Sequence, residues 1–155
     1  MTPRIATSPF KAAPDAYQAM IKLEQTIGAS GLEHSLLELL KTRVSQINGC
    51  AFCLHMHTAD ARKAGESEVR LHLLAAWRES SLYTPRERAA LTWAESLTRI
   101  EQTQAADADY EALKAEFSEA EQVNLTFAIG AINVWNRLAV GFRLAHPAEP
   151  ARVAA

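Results

Sequence analysis

The chain has 155 residues, of which 48% are hydrophobic and 22% charged, and its net charge is -2. That is enough apolar material for one compact domain spanning 1-155, and too much for a disordered chain. No Lys/Arg stripe is present, which argues against nucleic acid or an anionic membrane as partner.

The chain reads as helix after helix. After a short N-terminal arm, Pro14 to Ile27 carries Tyr17, Met20, Ile21, Leu23 and Ile27, and the Gly28 to Gly31 stretch breaks it. Leu32 to Asn48 spaces Leu36, Leu37, Leu40, Val44 and Ile47 helically, and Gly49 ends it. A third helix begins at about Cys50 and stops at Gly65. Ser67 caps a fourth through Trp77, and Thr84-Pro85-Arg86-Glu87 opens a fifth that runs to about Ile100. Asp107 opens a sixth, with Tyr110, Leu113 and Phe117 on its apolar side. Ser118 and Glu121 form a second capping box, starting a last helix to about Leu144. From about 146 the chain closes in an extended tail with Pro147 and Pro150. No segment alternates as a strand does, so the fold class is all-α, a bundle of about seven helices.

The apolar stretch Val123 to Phe142 is interrupted by Asn124, Thr126, Asn133, Asn136 and Arg137, which suits a buried helix better than a membrane span. The first residues lack the apolar block of a secretory signal. The expectation is a soluble, cytoplasmic protein.

Only two cysteines are present, Cys50 and Cys53. A bridge across two intervening residues closes almost no loop and adds little stability. In a reducing compartment such a pair does chemistry or binds metal. At about 100° per residue, Cys50, Cys53 and His57 fall within an arc of roughly 60° on one helix face. Leu54, Ala61 and Ala64 share that side, whereas His55, Arg62 and Lys63 point elsewhere.

A helix start favours a thiolate, His57 lies one turn beyond Cys53 as proton acceptor or imidazolium partner, and a second thiol three residues away can capture an oxidised sulfur. These features predict that Cys53 is the more acidic thiol. Two other readings of the pair stand beside this one: small buried apolar side chains, or a zinc site with His57 and a fourth ligand. Glu38 is the one acid in the run Leu36 to Leu40. It either reaches solvent beside Ser35, Thr42 and Ser45 or turns into a polar pocket.

The pattern Glu38, then Cys50-x-x-Cys53, then His57 resembles the signature of the alkylhydroperoxidase AhpD-like proteins of the carboxymuconolactone decarboxylase family. The resemblance is close over roughly Leu32 to Gly65 and extends loosely to Asn133-Val-Trp-Asn-Arg137. It implies the AhpD-like helical bundle, assembled as homotrimers or homohexamers, and thiol-dependent peroxide reduction with no organic cofactor and no metal. By the family pattern Cys53 becomes the sulfenic acid, Cys50 is its partner in the disulfide and in proton transfer, and Glu38 and His57 form the proton relay. The partners implied are a peroxide and an external dithiol or protein reductant. The best-known members carry a histidine between the cysteines, where this chain has Phe52. Alternative functions of the same fold are a redox sensor, a disulfide reductase, or a lactone decarboxylase, the last not needing the C-x-x-C pair.

Assembly also has a basis in the residues. The last helix carries one apolar stripe of Val123, Phe127, Ala131, Val134, Leu138 and Phe142, and a second of Leu125, Ile129, Ile132 and Trp135. A helix apolar on most of its circumference must be covered on most of it. The second helix is also broadly apolar, so subunit contact is expected to cover the excess.

Overall fold

The computed structural model describes residues 2-147, and every regular element among them is helical. In chain order the elements are α1 (Pro9–Ala12), α2 (Pro14–Gly28), α3 (His34–Ile47), α4 (Ala51–Lys63), α5 (Glu68–Leu73), α6 (Pro85–Thr98), α7 (Ile100–Thr103), α8 (Asp107–Glu116) and α9 (Glu119–Phe142). A 3-10 turn at Leu74–Ala76 follows α5.

Seven of these helices are those the sequence predicts. The four-residue α1 and α7 are additional, being too short to carry a hydrophobic period. Both capping boxes form, at Thr84/Glu87 and Ser118/Glu121. The expected fourth helix is shorter than predicted, because the α-helical turns end at Leu73 and tighten into the 3-10 turn before Trp77. The predicted tail is described only as far as Pro147, and Pro150 lies outside the described residues.

Helix α3 is the centre of the bundle and packs against α4, α6 and α9. Its Leu36, Leu37, Leu40 and Val44 join the main core, where α6 supplies Ala90, Trp93 and Ala94 and α9 supplies Leu125, Ile129 and Ile132. On its other side Leu39 enters a second cluster with Leu71, Leu74, Trp77, Tyr83 and Leu91. Each such leucine contributes about 1.5–3 kcal/mol by burial.

A helix with core on two sides leaves little face for solvent. Thr42 and Ser45, which a surface reading of α3 would expose, are fully buried. The excess apolar surface of α3 is therefore covered within the chain, and α9 is the long helix left with an apolar stripe for a subunit to cover.

Helix α9 follows its two stripes only in part, since Ala131 of the first is buried and Leu138 and Phe142 are half-buried. Leu125, Ile129 and Ile132 are buried, while Val123 and Phe127 are 56% and 54% exposed and Val134 is also exposed. By length and composition α9 could cross a membrane. Its inner face, however, is fitted to the bundle: Gln122 Nε2 donates to the Phe117 carbonyl, and Asn136 Nδ2 donates to Ser45 Oγ.

A buried carboxylate ties the second cluster to the bundle. Glu95 of α6 accepts from Trp77 Nε1 at 2.9 Å and from Arg43 Nε at 2.6 Å, and it pairs with Arg78. Burial raises the Glu95 pKa, and the hydrogen bonds from Arg78, Trp77 and Arg43 outweigh that and hold it below the usual carboxylate range.

Candidate active site

Helix α3 ends in a left-handed turn that Gly49 makes at φ +64°, a conformation costly for any residue with a Cβ. The Gly49 N–H donates to the Gln46 carbonyl, and the Cys50 N–H donates back to the Ser45 carbonyl at 3.0 Å. This double closure is a Schellman turn. Cys50 is thereby the last residue of the α3 turn and, at once, the N-cap of α4.

The N-cap geometry gives the first cysteine a role the sequence reading assigned to the second. Helix α4 proper begins at Ala51, and the Cys50 sulfur accepts the Cys53 backbone N–H at 3.4 Å. The Cys50 pKa falls to about 6: first because the Cys53 thiol donates to it, then because the Cys53, Asn136 and Phe52 groups add hydrogen bonds that outweigh burial. Cys53 is pushed upward, because it donates its proton to Cys50, is buried, and lies beside the Cys50 charge. The expectation that Cys53 is the more acidic thiol is corrected accordingly. The two thiols therefore titrate as a pair, with the backbone N–H of Cys53 favouring the charge on Cys50.

Both thiols are buried, Cys50 at 1% and Cys53 at 2% exposure. His57 and Ala61 continue their inward face, with Leu54 half-buried, while His55, Arg62 and Lys63 are exposed. Ala64, expected on the inner side, is exposed because the helix has already ended at Lys63.

Glu38 comes to the same place from α3. It is 6% exposed, and its Oε2 lies 2.8 Å from His57 Nδ1. Burial raises the Glu38 pKa, but the hydrogen bond and charge of His57, with Lys41 and His34 behind them, bring it below the ordinary value. The ionised carboxylate holds a proton on His57 Nδ1 and leaves Nε2 as the nitrogen that gives or takes one. Glu38, Cys53 and His57 border one cavity of about 380 Å3.

The rest of that cavity is mostly apolar. Phe10, Tyr17 and Trp135 form an aromatic cluster on it, with centroids 4.9 Å apart for Phe10–Tyr17 and 6.0 Å for each contact with Trp135. Glu24 fixes the wall by accepting from Lys41 Nζ at 2.7 Å and from Trp135 Nε1 at 3.0 Å. An apolar cavity of this kind strengthens the charge interactions inside it.

The sequence reading does not assign Asn136 a role in the site. Fully buried on α9, it accepts from Asn48 Nδ2 at 2.8 Å, and its side chain favours the thiolate on both cysteines. Asn133 accepts from the same Asn48 amide at 3.0 Å. The signal available was an asparagine inside an apolar helix; its partners are about 90 residues away in sequence. His34, His55, His72 and His146 are exposed.

The thiolate population of the reduced pair is expected to titrate near 6. Alkylation by iodoacetamide should already be on its plateau at neutral pH, where an ordinary thiol of pKa about 8.5 is still rising. Because the folded value is the lower one, this thiolate stabilises the fold fully above the unfolded pKa, and the gain is lost as pH falls through about 6. Asn136→Ala should move the inflection upward. A wild-type midpoint at the ordinary thiol value contradicts the N-cap assignment.

The fold and this site define an AhpD-like protein. The profile of the carboxymuconolactone decarboxylase family matches residues 14-96, and the chain belongs to that family. It is 41% identical over 131 residues to the uncharacterized protein YdfG of Bacillus subtilis (strain 168), covering 84% of this chain and 89% of that one. A solved protein of unknown function from Agrobacterium tumefaciens, put forward as an antioxidant defence protein AhpD, superposes with a TM-score of 0.90 at 49% identity, over 96% of this chain and 100% of that one. The debrominase Bmp8 shares the fold at 20% identity, with a TM-score of 0.79 over 90% of this chain and 75% of that one.

Proposed function

We propose that this chain is a thiol-dependent peroxidase of the alkylhydroperoxidase type, working in the reducing cytoplasm. The observation that carries the reading is the meeting of Cys53 with the Glu38–His57 pair on one mostly apolar cavity, with Cys50 beside it as a low-pKa thiolate.

The Cys50 thiolate takes the proton that the Cys53 thiol donates to it, leaving Cys53 as nucleophile. Cys53 Sγ attacks the terminal peroxide oxygen, the O–O bond breaks, and the leaving alkoxide takes a proton from His57 Nε2. Cys53 is then a sulfenic acid. Cys50 attacks its sulfur, and the departing hydroxide takes the Cys50 proton and leaves as water. One peroxide and two thiols become one alcohol, one water and the Cys50–Cys53 disulfide, which an external dithiol reduces. Glu38 holds the imidazole orientation throughout.

Peroxide added to the reduced protein should produce a mass lower by two hydrogens, with the bond mapping to the peptide that holds both cysteines. Two free thiols surviving a stoichiometric excess of organic peroxide would overturn the reading.

The same reading includes assembly as a homotrimer or homohexamer. Its support is the exposed α9 stripe of Val123, Phe127 and Val134, a patch of the kind soluble monomers usually cover. Light scattering coupled to gel filtration should return a multiple of the 17.0 kDa chain. A mass of one chain at micromolar concentration contradicts assembly.

A further inference from the structure

The two cysteines line different cavities. Cys53 borders the cavity it shares with Glu38 and His57, while Cys50 borders a second cavity of about 390 Å3. Phe52, Ala139 and Leu144 line both cavities and form the partition between them. Phe52, one of the two residues between the cysteines, is therefore part of a wall, a use that a polar side chain would serve less well.

The cavities also differ in charge. Glu24, Glu38 and Asp60 line the first, the first two of them paired with Lys41 and His57, whereas among the described residues no carboxylate lines the second. Among the described residues the titratable side chains at the second, apart from Cys50, are those of Arg143 and His146. Arg143 is exposed and makes no ion pair among the described residues. Cys50, on the same cavity, caps the N-terminus of α4, whose free N–H groups also favour negative charge.

We infer that the Cys50 cavity is the docking site of the electron donor, a small dithiol carrying a negative charge, so that peroxide and reductant reach the pair through separate openings. This rests on the peroxidase reading only for the existence of a reversible Cys50–Cys53 disulfide.

In the reductive step a donor thiolate attacks Cys50 Sγ. The Cys50–Cys53 bond breaks, and Cys53 leaves as a thiolate that takes a proton from His57 across the first cavity. The donor's second thiol then gives its proton to solvent, from which His57 regains the one it lost, and attacks the donor sulfur of the mixed disulfide. Cys50 leaves as a thiolate, and the donor departs as its own disulfide. Two electrons pass from donor to protein, and no other oxidant or reductant is needed.

The test measures the two half-reactions separately. Diamide closes the disulfide without peroxide, and its reduction is then followed with dithiothreitol, which is neutral, and with 2,3-dimercaptopropane-1-sulfonate, which is anionic. Val140 lies at the second cavity and is 48% exposed, so Val140→Trp can fill the mouth without disturbing the core. Val140→Trp should slow the reductive half-reaction about tenfold relative to peroxide oxidation, because exchange rates depend on access to the attacked sulfur. Ile21→Trp, which narrows the first cavity, should do the reverse.

Arg143→Asn keeps a residue that tolerates the left-handed conformation Arg143 adopts at φ 57°. It should cut the rate with the sulfonate dithiol about threefold or more while leaving dithiothreitol nearly unaffected, as loss of electrostatic steering requires. Reduction that is untouched by Val140→Trp, or slowed by Ile21→Trp as much as by Val140→Trp, overturns the inference. So does equal loss with both dithiols in Arg143→Asn. If diamide closes the disulfide and peroxide does not, the peroxidase reading fails alone; if diamide cannot close it, both fail.

Discussion

Replacement of Cys53 by serine is expected to reduce peroxide consumption to the uncatalysed background, the largest effect of any single change. The hydroxyl that replaces the thiol is a far weaker nucleophile at neutral pH, and no disulfide can form. Cys50→Ser should behave differently: Cys53 loses its base and its resolving partner, so any oxidation stops at a sulfenic acid without turnover. The two variants therefore separate the roles proposed for the sulfurs. They are compared by peroxide loss with excess dithiothreitol, alongside a sulfenic-acid trap. Sustained consumption by Cys53→Ser would move the nucleophile to Cys50, the sulfur that carries the charge in the resting pair.

Loss of the relay ranks second. His57→Ala removes the proton donor for the leaving alkoxide, and general acid catalysis of this kind is worth about 10²–10⁴-fold in rate. Glu38→Gln should fall in the same range for a less direct reason. A glutamine at that position carries no charge and can turn its amide N–H groups toward His57 Nδ1, which fixes the wrong tautomer. Glu38 and His57 are 2.8 Å apart and both 6% exposed, so each is held by the other. The two substitutions should be strongly non-additive, the double variant being little slower than either single one. Rates within about twofold of wild type in both single variants, across pH, would remove the pair from the mechanism.

The helical order of the chain was legible because most of its signals are local. Capping boxes at Thr84 and Ser118, the glycine stop at Gly49 and the 3.6-residue period each lie within a few residues. The common face of Cys50, Cys53 and His57 was legible for the same reason, as it follows from spacing along one helix.

Where two helices must meet, the sequence is silent on direction. Glu38 could face water or pocket until α3 proved to be buried on nearly every side, with even Thr42 and Ser45 inside. Asn136 reaches Asn48 across a separation no local pattern records. The acidity of the two thiols was read in the wrong order because it turns on one residue of helix boundary. With α4 starting at Ala51, the capping position and its N–H groups belong to Cys50, and Cys53 becomes the donor.

Turnover is the property that separates a peroxidase from a sensor built on the same disulfide. The direct measurement is the amount of organic hydroperoxide consumed per chain in the presence of excess dithiol, with Cys53→Ser as control. The account predicts continuous consumption of many peroxide molecules per chain, ended only by exhaustion of the dithiol and absent in the control. Consumption that stops after one equivalent per chain, with dithiol still in excess, would contradict it.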